Sequence, residues 1–365
     1  MLAAHYPKGT GVLLYAYVEK SLQVWVIRAG GIAAYHRGPL SLDALEAAAA
    51  SLRAALRVDA AAAARAPRLR VRTGRGLSRR KPACSILSVE EAVRQVQGMV
   101  PPGRVPQGLR DVRHVAVVPV LGLGSLPFAL FQPFPDEGPL IEHMSVSVAP
   151  SLQDLAQPVQ PWTWEVRSPL VVGNPKYARH RRWELPALPG AEREARDVAR
   201  GLDVEALTGK RAVEAVVSRA ARDADLLYFA THAAADPSDP LDGSFLALAP
   251  GRGTDGWWTA REIQGIRIGD AKLAVLSACQ TGLGRVHEAG VIGIARAFQI
   301  AGAPRVVMSL WSVSDAATDA LMTEFSKHLE DEIPSEALRK GMLALRERDA
   351  DPAHWAAFTL FGTPR

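Results

Sequence analysis

The chain has 365 residues, enough for one large or two modest domains, and its 48% hydrophobic and 22% charged content is that of a globular protein with a full core. No apolar run reaches the roughly 18 residues a transmembrane helix needs, and two cysteines, Cys84 and Cys279, are too few for a disulfide framework. The net charge of +5 is carried by one stretch: residues 65 to 82 hold seven Arg and one Lys and no acid, so the remainder stands at −3 (+5 less +8).

Residues Met1 to Lys8 lack the charged and apolar blocks of a signal peptide, so a reducing cytoplasm is the expected setting. Gly11 to Tyr35 reads as a β-meander of three strand-like runs, the second ending at Gly30-Gly31. Ser41 is placed to cap an alanine-rich helix running to about Arg57. The basic stretch follows, punctuated by Gly and Pro. It has no aromatic residue to stack a base, so it is read as a solvated connector, and direct nucleic-acid binding is not expected. Ser88 and Glu91 have capping-box spacing at the head of a second helix. His114 to Val120 predicts a buried strand, and Gly122 to Phe128 a tight turn.

Pro158, Pro161 and Trp162 to Arg167 predict a linker between an N-terminal half, residues 1 to 160, and a C-terminal half, residues 165 to 365. The second half alternates strand and helix. Strands are expected at Leu170 to Gly173, Asp225 to His232, Ser244 to Ala249, Lys272 to Cys279 and Arg305 to Leu310. Helices are expected from Pro189, over Ala212 to Ala221, Trp258 to Gln264, Gly290 to Ile300, Asp315 to Leu329 and Pro334 to Arg348. That alternation implies an α/β fold, a doubly wound and mainly parallel sheet with helices on both faces. No repeat of 20 to 50 residues is visible. No Cys or His cluster has zinc spacing and no cofactor motif is found, so neither a metal nor a cofactor is expected.

Two strands end in reactive side chains, His232 and Cys279, and ligands bind outside the carboxyl ends of strands in such sheets. A thiol beside an imidazole is an activated nucleophile. Each residue also has an inert reading. Cysteine at a strand end is commonly a small core hydrophobe, and histidine there is commonly hydrogen-bonded structure. The residues after His232, Ala233 to Pro240, are small and turn-rich, so its ring is expected to face an open cleft. The 47 residues separating the pair suffice for one strand, a short helix and a return strand, which sets the two strands side by side.

Thr231-His232, Leu276-Ser-Ala-Cys279-Gln-Thr-Gly and Ser309-Leu-Trp-Ser-Val-Ser-Asp315 resemble the marks of the CHAT family, caspase-like cysteine peptidases related to separases. Val117-Val-Pro, Leu126-Pro-Phe and Leu140 to Leu152 resemble its first half. The family often has Gly after the His, where this chain has Ala233. The resemblance implies a caspase-like fold preceded by a degenerate pseudo-protease half. It implies Cys279 as nucleophile, His232 as base and proton donor, and an oxyanion site of the Cys279 and Ala233 backbone N–H groups.

The same resemblance suggests Asp315 as the acid that receives a P1 Arg or Lys. The backbone around Trp311 and Ser312 would then pair with an extended protein substrate. Asp315 also has a plainer role, as a capping or first-turn acid of its helix. Family members are often joined to sensor modules, so a separate activating protein partner is expected. Cleavage of the chain's own bonds near Arg79 to Lys81 is a further expectation. A catalytically silent caspase-like scaffold is the alternative. Another thiol-dependent transferase or hydrolase would need a small-molecule pocket.

Overall fold

A computed structural model describes residues 9–56, 87–99, 105–134, 137–157, 159, 161–179, 185–236, 238–277, 288–311 and 313–364. Cys84, Cys279, Ser312 and the basic stretch 65–82 lie outside these residues.

The meander forms as expected from β1 (Thr10–Val18), β2 (Ser21–Arg28) and β3 (Gly31–Pro39), antiparallel throughout. Helix α1 (Leu42–Ala55) opens at Ser41, whose hydroxyl accepts the Ala44 N–H at 3.3 Å. Helix α2 (Val89–Gln97) opens on a complete capping box between Ser88 and Glu91. Strands β4 (His114–Val118) and β5 (Ser145–Val148) close the first half, and the glycine-rich segment after β4 is a 3₁₀ turn over Leu121–Ser125.

The second half contains β6 (Pro169–Pro175), α3 (Pro189–Gly201), β7 (Leu207–Gly209), α4 (Glu214–Ala220) and β8 (Leu226–Ala230). A small antiparallel sheet of β9 (Ala233–Ala234), β10 (Phe245–Ala247) and β11 (Trp257–Thr259) follows, then α5 (Ala260–Gly265). The chain continues through β12 (Leu273–Leu276), α6 (Glu288–Ala301), β13 (Arg305–Ser309), α7 (Asp315–His328), α8 (Pro334–Arg348) and β14 (Phe358–Gly362).

One eleven-stranded sheet runs through both halves in the order β3-β2-β1-β4-β5-β14-β13-β12-β8-β6-β7. Beyond the antiparallel meander, neighbouring strands run parallel except where β14 runs antiparallel to β13. Every residue of β4, β5, β8, β12, β13 and β14 is buried, so the centre of the sheet is covered on both faces. The last strand joins the halves: β14 pairs with β13 on one side and with β5 on the other.

One expectation changes in detail. The helix expected from Trp258 begins at Ala260, because Trp257 to Thr259 pairs with β10 and Thr259 then caps the helix. The segment expected as a linker is pinned to the second half. Trp162 Nε1–H donates to the Leu329 carbonyl at 3.2 Å, and Lys272 Nζ donates to the Glu165 carbonyl at 3.0 Å. The guanidinium of buried Arg305 lies 5.8 Å from the Trp162 ring centroid.

Candidate active site

Strands β8 and β12 are parallel neighbours, and their register pairs Leu226 with Leu273, Leu227 with Ala274, Tyr228 with Val275 and Phe229 with Leu276. Each pair is separated by 47 positions, the same separation as His232 and Cys279 in the sequence. Both strands are apolar runs bounded by polar residues, and Asp225 anchors the entry to β8 by accepting the Arg167 and Ser168 N–H groups at 2.6 and 3.1 Å.

His232 stands two residues past the end of β8 and is 1% exposed, contrary to the open cleft expected from the small residues after it. Two neighbours cover the ring. Its Nε2–H donates to the Pro186 carbonyl oxygen at 2.7 Å, and the Tyr177 ring lies 4.8 Å away, centroid to centroid. The residues after His232 make strand β9 rather than a loose turn, because β10 offers them a ladder. Thr231 is held as well: its hydroxyl donates to the Ala247 carbonyl at 2.6 Å.

The Pro186 carbonyl is itself positioned. Asn174, at positive φ (43°) in β6, accepts the Leu188 N–H at 2.8 Å and donates to the Glu192 carboxylate at 3.1 Å. Helix α3 then lies close on β6, where a Cβ at Gly173 would stand 2.3 Å from the Ala195 Cβ. Only glycine allows that approach.

Ala233 sits opposite Leu246 in the β9–β10 ladder. The Ala247 N–H donates to the His232 carbonyl at 2.8 Å. The Ala233–Leu246 pair is therefore of the non-hydrogen-bonded kind, with the Ala233 N–H directed away from β10.

Asp315 is the first residue of α7 and is exposed; Ser314 is the cap, its hydroxyl accepting the Ala317 N–H at 3.2 Å. Asp315 packs against the start of α3, where a Cβ at Gly190 would meet the Asp315 Cβ at 2.8 Å. Its charge reaches Tyr177, whose ring packs at a tilt against His232, and helps burial hold the Tyr177 phenol above its ordinary range. His232, Ala233 and Asp315 thus belong to one region of the sheet's carboxyl end. The Trp311 side chain is buried, and its Nε1–H donates to the Ala353 carbonyl at 2.8 Å. Just before it, the Leu310 N–H donates to the Ala357 carbonyl at 2.7 Å.

Beneath the site lies a group the sequence reading did not single out. Glu194, on the sheet-facing side of α3 and 4% exposed, accepts the Tyr228 hydroxyl at 2.6 Å. Burial pushes its carboxyl up to about 7; the nearby Ser277 and Tyr228 hydroxyls oppose the rise, and Asp319 and Asp315 add to it. Its signal in the sequence is a glutamate falling among the inward positions Ala191, Ala195 and Ala199 of α3.

Among the described residues, no group of three or more His, Cys, Asp or Glu is placed to hold a metal, and no helix is long and apolar enough to cross a membrane. A polar cavity of about 680 Å³ lies at the opposite, amino-terminal ends of these strands, lined by Arg167, Asp225, Lys272 and Arg305 among others.

The fold is a caspase-like α/β fold. Yeast (Saccharomyces cerevisiae) separase, from its complex with securin, superposes with a TM-score of 0.57 at 11% identity, over 98% of this chain and 30% of that one. The CHAT domain family model matches residues 91–363, and the chain belongs to that family. Tetratricopeptide repeat protein 28 of mouse is 28% identical over 299 residues, 69% of this chain, and its human counterpart is 28% identical over 298 residues. The chain spans 12% of the length of these relatives.

Proposed function

We propose that this chain is a cysteine endopeptidase in which Cys279 and His232 act as a dyad. The observation that carries this reading is the β8–β12 register, whose constant offset of 47 matches the separation of the two residues. In the reaction, the Cys279 thiol gives its proton to His232, and the thiolate adds to a peptide carbonyl. The imidazolium returns the proton to the leaving amine as the C–N bond breaks, leaving an acyl-enzyme that water hydrolyses with His232 again as base. The Pro186 carbonyl holds the proton on Nε2, so Nδ1 is the nitrogen that exchanges protons with the thiol. The Ala233 N–H, aimed away from β10, supports an oxyanion site shared with the Cys279 N–H.

Cleavage after Arg or Lys rests on Asp315, with Asp319 one turn further along α7 and Glu194 below. Pairing of substrate backbone at Trp311 and Ser312 completes that reading. Because the Trp311 side chain is already committed to the core, only its backbone is offered to substrate. Control by a protein partner is in keeping with relatives that are tetratricopeptide repeat proteins by name and far longer than the matched region.

The burial of His232 favours a second reading, a silent caspase-like scaffold. Labelling with an acyl-Arg chloromethyl ketone, followed by peptide mapping with Cys84 as internal control, separates the two. Labelling at Cys279 that is lost in His232→Ala supports the dyad. Equal labelling of Cys84 and Cys279, indifferent to His232, supports the scaffold.

A further inference from the structure

We infer that Glu194 is a positioning residue for the candidate dyad, its carboxyl tying helix α3 to the strand that leads to His232. The inference rests on the peptidase reading above.

Three pieces of geometry support it. Tyr228, which donates to Glu194 at 2.6 Å, lies on β8, four positions before His232 and two before the strand's last residue. Ser277, whose hydroxyl faces the same carboxyl and favours its charged form, stands two positions before Cys279 in the sequence. Finally, the turn before α3 supplies the Pro186 carbonyl that takes the His232 proton. The helix bearing Glu194 therefore sets the orientation of the imidazole through its leading turn, and grips β8 through its buried face.

The grip depends on one proton. An ionised Glu194 accepts the Tyr228 hydroxyl in a charge-assisted hydrogen bond. A protonated Glu194 still accepts through its carbonyl oxygen, but the bond loses its charge and roughly half its strength, so the hold on Tyr228 weakens. The groups facing the carboxyl are Tyr228 on β8, Ser277 just past β12, and Asp315 and Asp319 on α7. On α3 itself, Arg193 and Asp197 act on Asp319 with opposite signs. Burial and the two α7 carboxylates favour the protonated form, so the switch falls near neutral pH rather than at the usual carboxylate range.

The test follows the rate at which iodoacetamide alkylates Cys279 in the full-length chain across about pH 5 to 9, mapped by mass with Cys84 as internal control. The wild-type profile is expected to carry a step near neutrality besides the thiol's own. In Glu194→Gln, which keeps an acceptor for Tyr228 but has no proton to lose, the step should vanish, with the rate at pH 8 falling about tenfold as the imidazole is less well held. If Glu194→Gln does not fold, Tyr228→Phe removes a donor to the carboxylate and should move the step to higher pH. A step that stays in place in Glu194→Gln, or in Tyr228→Phe where that variant is needed, overturns the inference. A rate that falls in His232→Ala while Glu194→Gln keeps the wild-type profile removes this inference alone. A rate indifferent to His232→Ala removes the dyad, and this inference with it.

Discussion

The Nε2–H of His232 donates to the carbonyl oxygen of Pro186 at 2.7 Å, across 46 positions of sequence. A backbone carbonyl thus does the orienting that a carboxylate does in many triads, and it fixes one tautomer of the neutral ring. Whatever holds Pro186 in place therefore matters to His232.

Asn174 is that support. Asn174→Ala loses the bond to the Leu188 N–H and the bond to Glu192. The expected cost in stability is about 1 kcal/mol. The expected loss in His232-dependent labelling of Cys279 is larger, about tenfold or more, because a small displacement of the carbonyl misaligns the ring. A labelling rate that falls no further than the stability change implies would mean Pro186 is well held without Asn174.

Two buried ionisable groups make opposite pH predictions. His114 lies between the hydroxyls of Ser145 and Ser147, at 2.9 and 3.0 Å, and burial lowers its imidazole from 6.5 to about 3. The unfolded chain binds that proton first, so stability drops as pH falls through this window, by roughly 1.4 kcal/mol per pH unit. Glu194 is raised from 4.5 to about 7, so the folded chain keeps its proton longer, and stability drops as pH rises through that window. The two effects oppose each other between about pH 4.5 and 6.5. Thermal unfolding at about pH 5 and 6.5 should show Glu194→Gln gaining stability with pH relative to wild type, and His114→Gln losing it. Parallel behaviour of all three proteins would contradict the assigned directions.

Trp311 is predicted to be a core residue whose side chain does not touch substrate. Trp311→Phe should cost about 1 kcal/mol through the lost bond to Ala353, and Trp311→Ala about 3–5 kcal/mol through the cavity. Urea titration measures both. A Trp311→Phe variant of unchanged stability with altered cleavage would point instead to a substrate contact.

The arginines of residues 65 to 82 offer the proposed enzyme its own preferred bonds. On incubation, the wild-type chain should lose intact mass by cleavage after Arg79, Arg80 or Lys81, while Cys279→Ala keeps it. A wild-type mass that does not change removes this expectation.

Much of the second half could be read from residues because its signals are local. Pro334 to Arg348 begins with a proline at the first helical position, Ser88 and Glu91 form the capping box their spacing predicts, and β8 and β12 are unbroken apolar runs. The short strands β9 and β11 escaped because two or three residues acquire strand form only from a partner, here β10. Strand β14 was missed for a related reason: Phe358 to Gly362 has a strand's composition, but only long-range pairing puts it between β13 and β5. Pro186 could not be read at all, since a carbonyl oxygen is common to every residue. Glu194 could have been noticed, as a charge on an otherwise apolar helix face.

Strand β14 also bears on how the protein is made. Of the strands in the large sheet it is synthesised last, yet it lies in the middle, filling the gap between β5 and β13. A nascent chain on the ribosome can assemble the meander and the β8–β12 pair early, but the inner edges of both halves stay open until residues 358 to 362 emerge. Such edges invite wrong pairing. Closure of the large sheet is therefore expected to wait until residues 358 to 362 have been made, in one step that seals two unfinished sheets into one.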